Sequence, residues 1–170
     1  MAIVGRRHRY TGDIPIIEHR ELVQRAFLYL KFNLGCSVVF KERVASCSES
    51  PDAIGFKGGH CYLIECKSSR ADFFADEKKL FRKCPEQGMG EKRYYMAPVG
   101  MLEPSEMPEG WGLREVYDIP PGLRHRTVKT AREGECFYNV NLRAEVAYLV
   151  SAIRRLDISM AVFVTGESDG

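Results

Sequence analysis

The chain has 170 residues, of which 45% are hydrophobic and 28% charged, with a formal net charge of +2. These values fit one domain around a single core and exclude a polycation. The apolar runs are too short to span a bilayer. No apolar stretch follows the basic N-terminus (Arg6, Arg7, Arg9), so the expected location is cytoplasmic, with no membrane partner.

In chain order, residues 1–14 read as a basic arm and 15–170 as a single domain. A helix is predicted over about 15–34, with Leu22, Val23, Ala26, Phe27 and Leu30 at helical spacing and Gly35 as its stop. Residues 36–45 read as a strand and 46–50 as a loop. Strands follow at 52–57 and 60–67, joined by Gly58-Gly59, a strong tight-turn signal. Ser69 and Asp72 open a second helix. Its apolar positions are Phe73, Phe74, Leu80, Phe81 and Cys84, and Pro85 ends it. Strands are predicted at 92–99 and 111–118, and the basic segment at 124–131 is open to one more. Asn141 caps a last helix, with Leu142, Val146, Leu149, Val150 and Ile153 on one face. This succession implies an α/β fold, a mixed sheet flanked by helices, with a further helix at the C-terminus.

The six cysteines (Cys36, Cys47, Cys61, Cys66, Cys84, Cys136) form no CxxC pair. Zinc sites usually draw on such pairs, so the expectation is reduced, mostly buried thiols.

The turn at Gly58-Gly59 dictates a register. A symmetric hairpin sets Lys57 opposite His60, Phe56 opposite Cys61, and Asp52 opposite Glu65. Directly opposed residues on one face have Cβ atoms roughly 4.5–5.5 Å apart. Lys67 lies two residues past Glu65 on the same face. Local geometry therefore gathers two carboxylates and an ammonium among apolar flanks. A buried carboxylate pair needs a cation or a shared proton. A hard divalent ion such as Mg²⁺ suits two carboxylates plus waters. The plainer reading is that Lys67 neutralises Glu65 while Asp52 is a solvated strand start.

Pro51-Asp52 followed, after a short hairpin, by Glu65-Cys66-Lys67 resembles the PD-(D/E)XK nuclease pattern. The surrounding elements are similar to the restriction-endonuclease-like αβββαβ core. Over residues 15–118, the runs ECKSSRADFFADEKK and RYYMAPVGMLEPSEMPEGWGLREV are also similar to MmcB-type DNA-repair and related phage proteins. The resemblance implies Mg²⁺- or Mn²⁺-dependent phosphodiester hydrolysis in repair, recombination or phage DNA processing. Asp52 and Glu65 would be metal ligands, joined by the backbone carbonyl of Cys66, with Lys67 beside the attacking water. Such enzymes often add an acid from the first helix. On a helical wheel His19 lies mid-stripe, Glu18 at its edge and Glu21 well away; Glu18, an acid, is favoured for that place, with His19 second.

DNA is the expected partner, with RNA left open. Basic clusters at 78–83 and 124–132 are the candidates for backbone contact: Lys79 in the first, and Arg124, Arg126 and Lys129 in the second, with Arg70 three residues after Lys67. Arg70 and Glu77 also fit a helix-surface ion pair. A non-catalytic nucleic-acid-binding module on the same fold, serving a repair or helicase partner, is the alternative function. The sequence carries no marker of oligomeric state, so a dimer stays open.

Overall fold

The computed structural model of the protein describes residues 12–41, 49–117 and 127–155. Most of the expected basic arm, Cys47, and the segment carrying Arg124 and Arg126 lie outside these residues.

Six strands form one mixed sheet in sequence order: β1 (Val38–Lys41), β2 (Ala53–Lys57), β3 (His60–Cys66), β4 (Lys92–Pro98), β5 (Gly112–Val116) and β6 (Val128–Arg132). The β1–β2, β2–β3 and β5–β6 pairs are antiparallel. The β3–β4 and β4–β5 pairs are parallel. Parallel neighbours need a crossover, and the one between β3 and β4 carries α2 (Arg70–Asp76) and α3 (Leu80–Lys83). Helix α1 (His19–Leu28) precedes the sheet and α4 (Leu142–Arg154) follows it. The αβββαβ order predicted from sequence is present.

Strand alternation sorts the core into two layers. On one face Ala53, Ile64, Cys66, Tyr94, Met96 and Val116 pack against Leu22, Val23, Ala26, Tyr29 and Leu30 of α1 and its π-helical continuation, Tyr29–Asn33. On the other face Ile54, Leu63, Tyr95, Ala97 and Leu113 pack against Phe73 of α2, Trp111, and Ala144 and Tyr148 of α4. Glu65 and Lys67 follow Leu63 on this second face, so the alternation that builds the core also delivers the charges.

The β2–β3 register is the one the turn predicts, with Lys57 opposite His60, Phe56 opposite Cys61 and Ala53 opposite Ile64. Gly58 and Gly59 take φ of +56° and +85°, the paired positive values a two-residue turn of this hand requires.

Three expectations change. The second helix is not continuous to Cys84: it stops at Asp76, Lys79 is extended (φ −64°, ψ 141°), and a new short helix begins at Leu80. The break turns Lys79 and Arg82 back onto Asp76, each 2.6 Å from a carboxylate oxygen, and these contacts take the place of helical continuation. The start is as read, with Ser69 Oγ accepting from the Asp72 amide at 3.2 Å. Second, Asn141 caps α4 through the Ala144 amide, but the apolar stripe does not face the core. Leu142, Val146, Val150 and Ile153 are exposed, whereas Ala144, Glu145, Tyr148 and Ala152 point inward. Small side chains allow the close approach, and Glu145 is drawn in by the Gly90 amide at 2.9 Å. Third, Arg70 does not pair with Glu77. Its guanidinium grips both carboxylate oxygens of Glu106 and the Met101 carbonyl, at the 3₁₀ turn Pro104–Glu106.

Arg25 of α1 ties two distant points together. One terminal nitrogen donates to the Tyr117 carbonyl at 2.7 Å and to Thr127 Oγ1 at 2.8 Å, and the Tyr117 amide donates to the Thr127 carbonyl at 2.9 Å. Cys36, Cys61 and Cys66 are buried free thiols, as expected, and Cys84 and Cys136 are free and partly buried. No helix among the described residues is long and apolar enough to cross a membrane.

Candidate active site

The end of the β2–β3 hairpin remote from its turn holds Asp52, Glu65 and Lys67. Asp52 precedes β2 by one residue. Its Oδ2 accepts from the Cys66 amide at 2.8 Å, and its Oδ1 lies 3.3 Å from His19 Nε2 at the start of α1. The residue of the first helix that reaches Asp52 is therefore His19. Glu18 stands one position earlier, exposed, at the helix N-cap.

Glu65 is almost fully buried. Its Oε1 lies 3.4 Å from Arg82, and its Oε2 lies 3.5 Å from Lys79 Nζ and 3.7 Å from Lys67 Nζ. Burial pushes its pKa up to about 7; Arg82 and Lys79 oppose the rise, and the charges of Asp52 and Asp76 add to it.

Sequence reasoning missed the group that organises these cations. Asp76, at the end of α2, is wholly buried. Its Oδ1 lies 2.6 Å from Lys79 Nζ and 3.1 Å from Lys67 Nζ, and its Oδ2 accepts from Arg82 Nε and from the Tyr95 hydroxyl, each at 2.6 Å. Burial alone would raise its pKa, but Arg82, Lys79, the Tyr95 hydroxyl and Lys67 together hold it well below the usual carboxylate range. In the sequence Asp76 sits in the run ADEKK, which reads as a solvated face, and no local signal marks it. Tyr95 is core, as expected, but its hydroxyl belongs to this network.

Arg82 completes the cluster. Its guanidinium lies 4.3 Å from the Trp111 ring centre, and its Nη1 lies 3.7 Å from the buried Glu49. Glu49, Glu65 and Asp76 thus face Lys67, Lys79 and Arg82, with Asp72 a further carboxylate 4.0 Å from Lys67 Nζ. Lys79 remains a cation: burial works against its charge, but Glu65 and Asp76 raise its pKa.

Of the other residues expected to meet a nucleic acid, Arg124 and Arg126 lie outside the described residues, and Arg70 and Lys129 make their contacts elsewhere than in this cluster. Arg70 is exposed against Glu106. Lys129 is exposed on β6 with its ammonium 4.3 Å from the Tyr117 ring centre. Cys66 is buried, its side chain among the α1-facing core residues, while its amide serves Asp52.

Among the described residues no group of three His, Cys, Asp or Glu side chains could hold a metal by itself. The donor chemistry nonetheless fits Mg²⁺ or Mn²⁺. Asp52 and Glu65 offer hard carboxylate oxygens and feel each other's charge. Mg²⁺ is usually held by one or two carboxylates while keeping several waters. Glu65 already draws cations, here supplied by side chains.

No family model matches the chain, and no curated protein matches it. It is similar to the solved structure of a protein of unknown function from Silicibacter pomeroyi, with a TM-score of 0.59 and 23% identity over 85% of this chain and 91% of that one. That likeness is one of fold.

Proposed function

We propose that the protein is a divalent-metal-dependent nuclease of the PD-(D/E)XK type that hydrolyses phosphodiester bonds in DNA. The observation that carries this reading is the convergence of Asp52, Glu65 and Lys67 at one end of a hairpin within an αβββαβ frame. Asp52 and Glu65 would hold Mg²⁺ or Mn²⁺, with the Cys66 carbonyl as a further oxygen. Such an ion supplies Lewis acidity and lowers the pKa of a bound water. Lys67 is fixed at the end of β3 by the hydrogen bond its amide N–H donates to the Met96 carbonyl and by the bond its ammonium donates to Asp76. From there its ammonium offsets negative charge developing on a phosphate and orients the attacking oxygen. Arg70, Lys79 and Lys129, with Arg124 and Arg126, would meet the DNA backbone. The setting in DNA repair, recombination or phage DNA processing, and a cytoplasmic location, rest on the sequence resemblance.

The pairing of the buried acids Glu65 and Asp76 with Lys67, Lys79 and Arg82 favours a second reading: a nucleic-acid-binding module whose acid cluster is structural. Incubating duplex and single-stranded DNA with the protein and Mg²⁺ or Mn²⁺ separates the two. Metal-dependent cutting that disappears in Asp52→Asn supports the nuclease. Binding without cutting under both metals supports the module.

A further inference from the structure

Of the three cations in the acid cluster, Lys67 and Arg82 have side chains 4% and 3% exposed, whereas Lys79 is 48% exposed. Lys79 is also redundant. Its Nζ lies 2.6 Å from Asp76 Oδ1 and 3.5 Å from Glu65 Oε2, and Lys67 Nζ reaches the same two oxygens at 3.1 and 3.7 Å. Two ammonium groups therefore serve one pair of carboxylate oxygens, and only one of them can turn to water without crossing the core. The backbone permits this, because Lys79 is the extended residue between two short helices and is not clamped inside either.

A Mg²⁺ ion bound to Glu65 would approach a carboxylate oxygen to roughly 2.0–2.1 Å. An ammonium within 3.5 Å of that oxygen is a like charge in the same space. The attraction that holds Lys79 is the attraction a metal would use, in a site where burial strengthens both.

We propose that Lys79 is a built-in competitor for the metal: its ammonium bridges Glu65 and Asp76 in the metal-free protein and swings to solvent when a divalent cation binds Glu65. This rests on the nuclease reading above. It gives Lys79 a positioning role and assigns Asp76 the task of keeping Lys67 in place once Lys79 has left. Metal affinity is then set partly by a residue that is no ligand, and the free site stays neutralised without an ion.

The test is Mn²⁺ binding without DNA, followed through the electron paramagnetic resonance signal of the free ion. Wild type, Lys79→Met, Lys79→Gln and Lys79→Arg are compared, with Glu65→Gln as the ligand control. The expected result is an affinity about tenfold higher in both neutral variants, equal to 1.4 kcal/mol, and wild-type affinity in Lys79→Arg. Two neutral substitutions guard against one that disturbs folding, which circular dichroism checks. Equal or weaker affinity in the neutral variants overturns the proposal while leaving the metal site standing. So does an increase shared by Lys79→Arg, because charge is then not the cause. If Mn²⁺ binds neither wild type nor the neutral variants in a way that Glu65→Gln removes, the metal reading itself falls and the competitor with it.

Discussion

Two clusters, each around a buried guanidinium, occupy opposite faces of the same sheet, and they are built differently. On the α1 side, the buried Arg114 has every nitrogen partnered, and its carboxylate, Glu133, opens to solvent. Its Nε donates to the Tyr29 hydroxyl at 2.8 Å, one terminal nitrogen to the Arg132 carbonyl at 2.9 Å, and the other to both oxygens of Glu133 at 3.0 and 3.1 Å. It also stacks 4.0 Å from the Tyr94 ring centre. On the other side, the contacts of Glu65 with Arg82, Lys79 and Lys67 run from 3.4 to 3.7 Å, and both terminal nitrogens of Arg82 are buried without a hydrogen-bond partner. A buried polar group left short of hydrogen bonds costs stability, so a protein that satisfies one guanidinium fully and another only in part separates structure from function. Arg114 holds the sheet to its neighbours. The Glu65 cluster leaves hydrogen-bonding capacity unused, which under the proposed nuclease reading a metal and a phosphate would take up.

The largest effect expected from that contrast is on chemistry. Lys67→Ala should lower metal-dependent DNA cleavage by about 10²-fold or more, with most DNA binding retained. Normal cleavage by this variant would remove the functional half of the comparison. On the closed side, Arg114→Leu strips charged hydrogen bonds from Tyr29, Glu133 and a strand carbonyl and should destabilise by about 3 kcal/mol, or ~6–12 °C in Tm for a chain of this size. Calorimetry decides it: a loss below about 1 kcal/mol would mean that Arg114 is not the anchor described.

Next in size is a pH effect at Glu65. Its folded pKa is raised from 4.5 to about 7. The native chain therefore holds this proton more tightly than the unfolded chain, and stability falls as pH rises between those values. Wild type should lose roughly 1–3 kcal/mol relative to Glu65→Gln across that window. Asp76 shifts the other way, so its contribution is present above the usual carboxylate range and fades as pH falls below it. Denaturant melts of both proteins from acid to neutral pH measure the difference; parallel curves would mean that Glu65 is ionised throughout.

The smallest expected effect concerns positioning on DNA. Arg124→Ala with Arg126→Ala should flatten the slope of log K against log salt by about 0.9 per lost phosphate contact on duplex. An unchanged slope would take this segment out of the DNA path and leave Arg70, Lys79 and Lys129 as the remaining candidates.

What could be read in advance follows from how local each determinant is. The Asp52–Glu65–Lys67 arrangement was legible because Gly58-Gly59 fixes a register and alternation does the rest, all within sixteen residues. The break after Asp76 was not, because helical periodicity continues through Leu80 and Cys84 and only contacts with distant Glu65 and Tyr95 select the turn. Asp76 was invisible for the same reason: a carboxylate among lysines looks solvated until a strand and a second helix enclose it. Preference for Glu18 over His19 rested on ligand chemistry, whereas the helix starts one residue later and aims His19 at Asp52. On α4 the larger apolar side chains misled, since the buried face is chosen by close approach of Ala144 and Ala152 and by the Gly90 amide that receives Glu145.

The clamp made by Arg25 has an evolutionary consequence. A single guanidinium pins Tyr117 and Thr127, so the two ends of the stretch numbered 118–126 are joined whatever lies between them. Loop closure becomes only slightly harder as a loop grows, by about 0.6 kcal/mol for each doubling of length. That stretch can therefore lengthen, shorten or exchange its arginines by neutral drift, while the sheet that carries Asp52 and Glu65 is inherited unchanged. Under the proposed nuclease reading, preference for one nucleic acid over another could be revised there at little cost to folding.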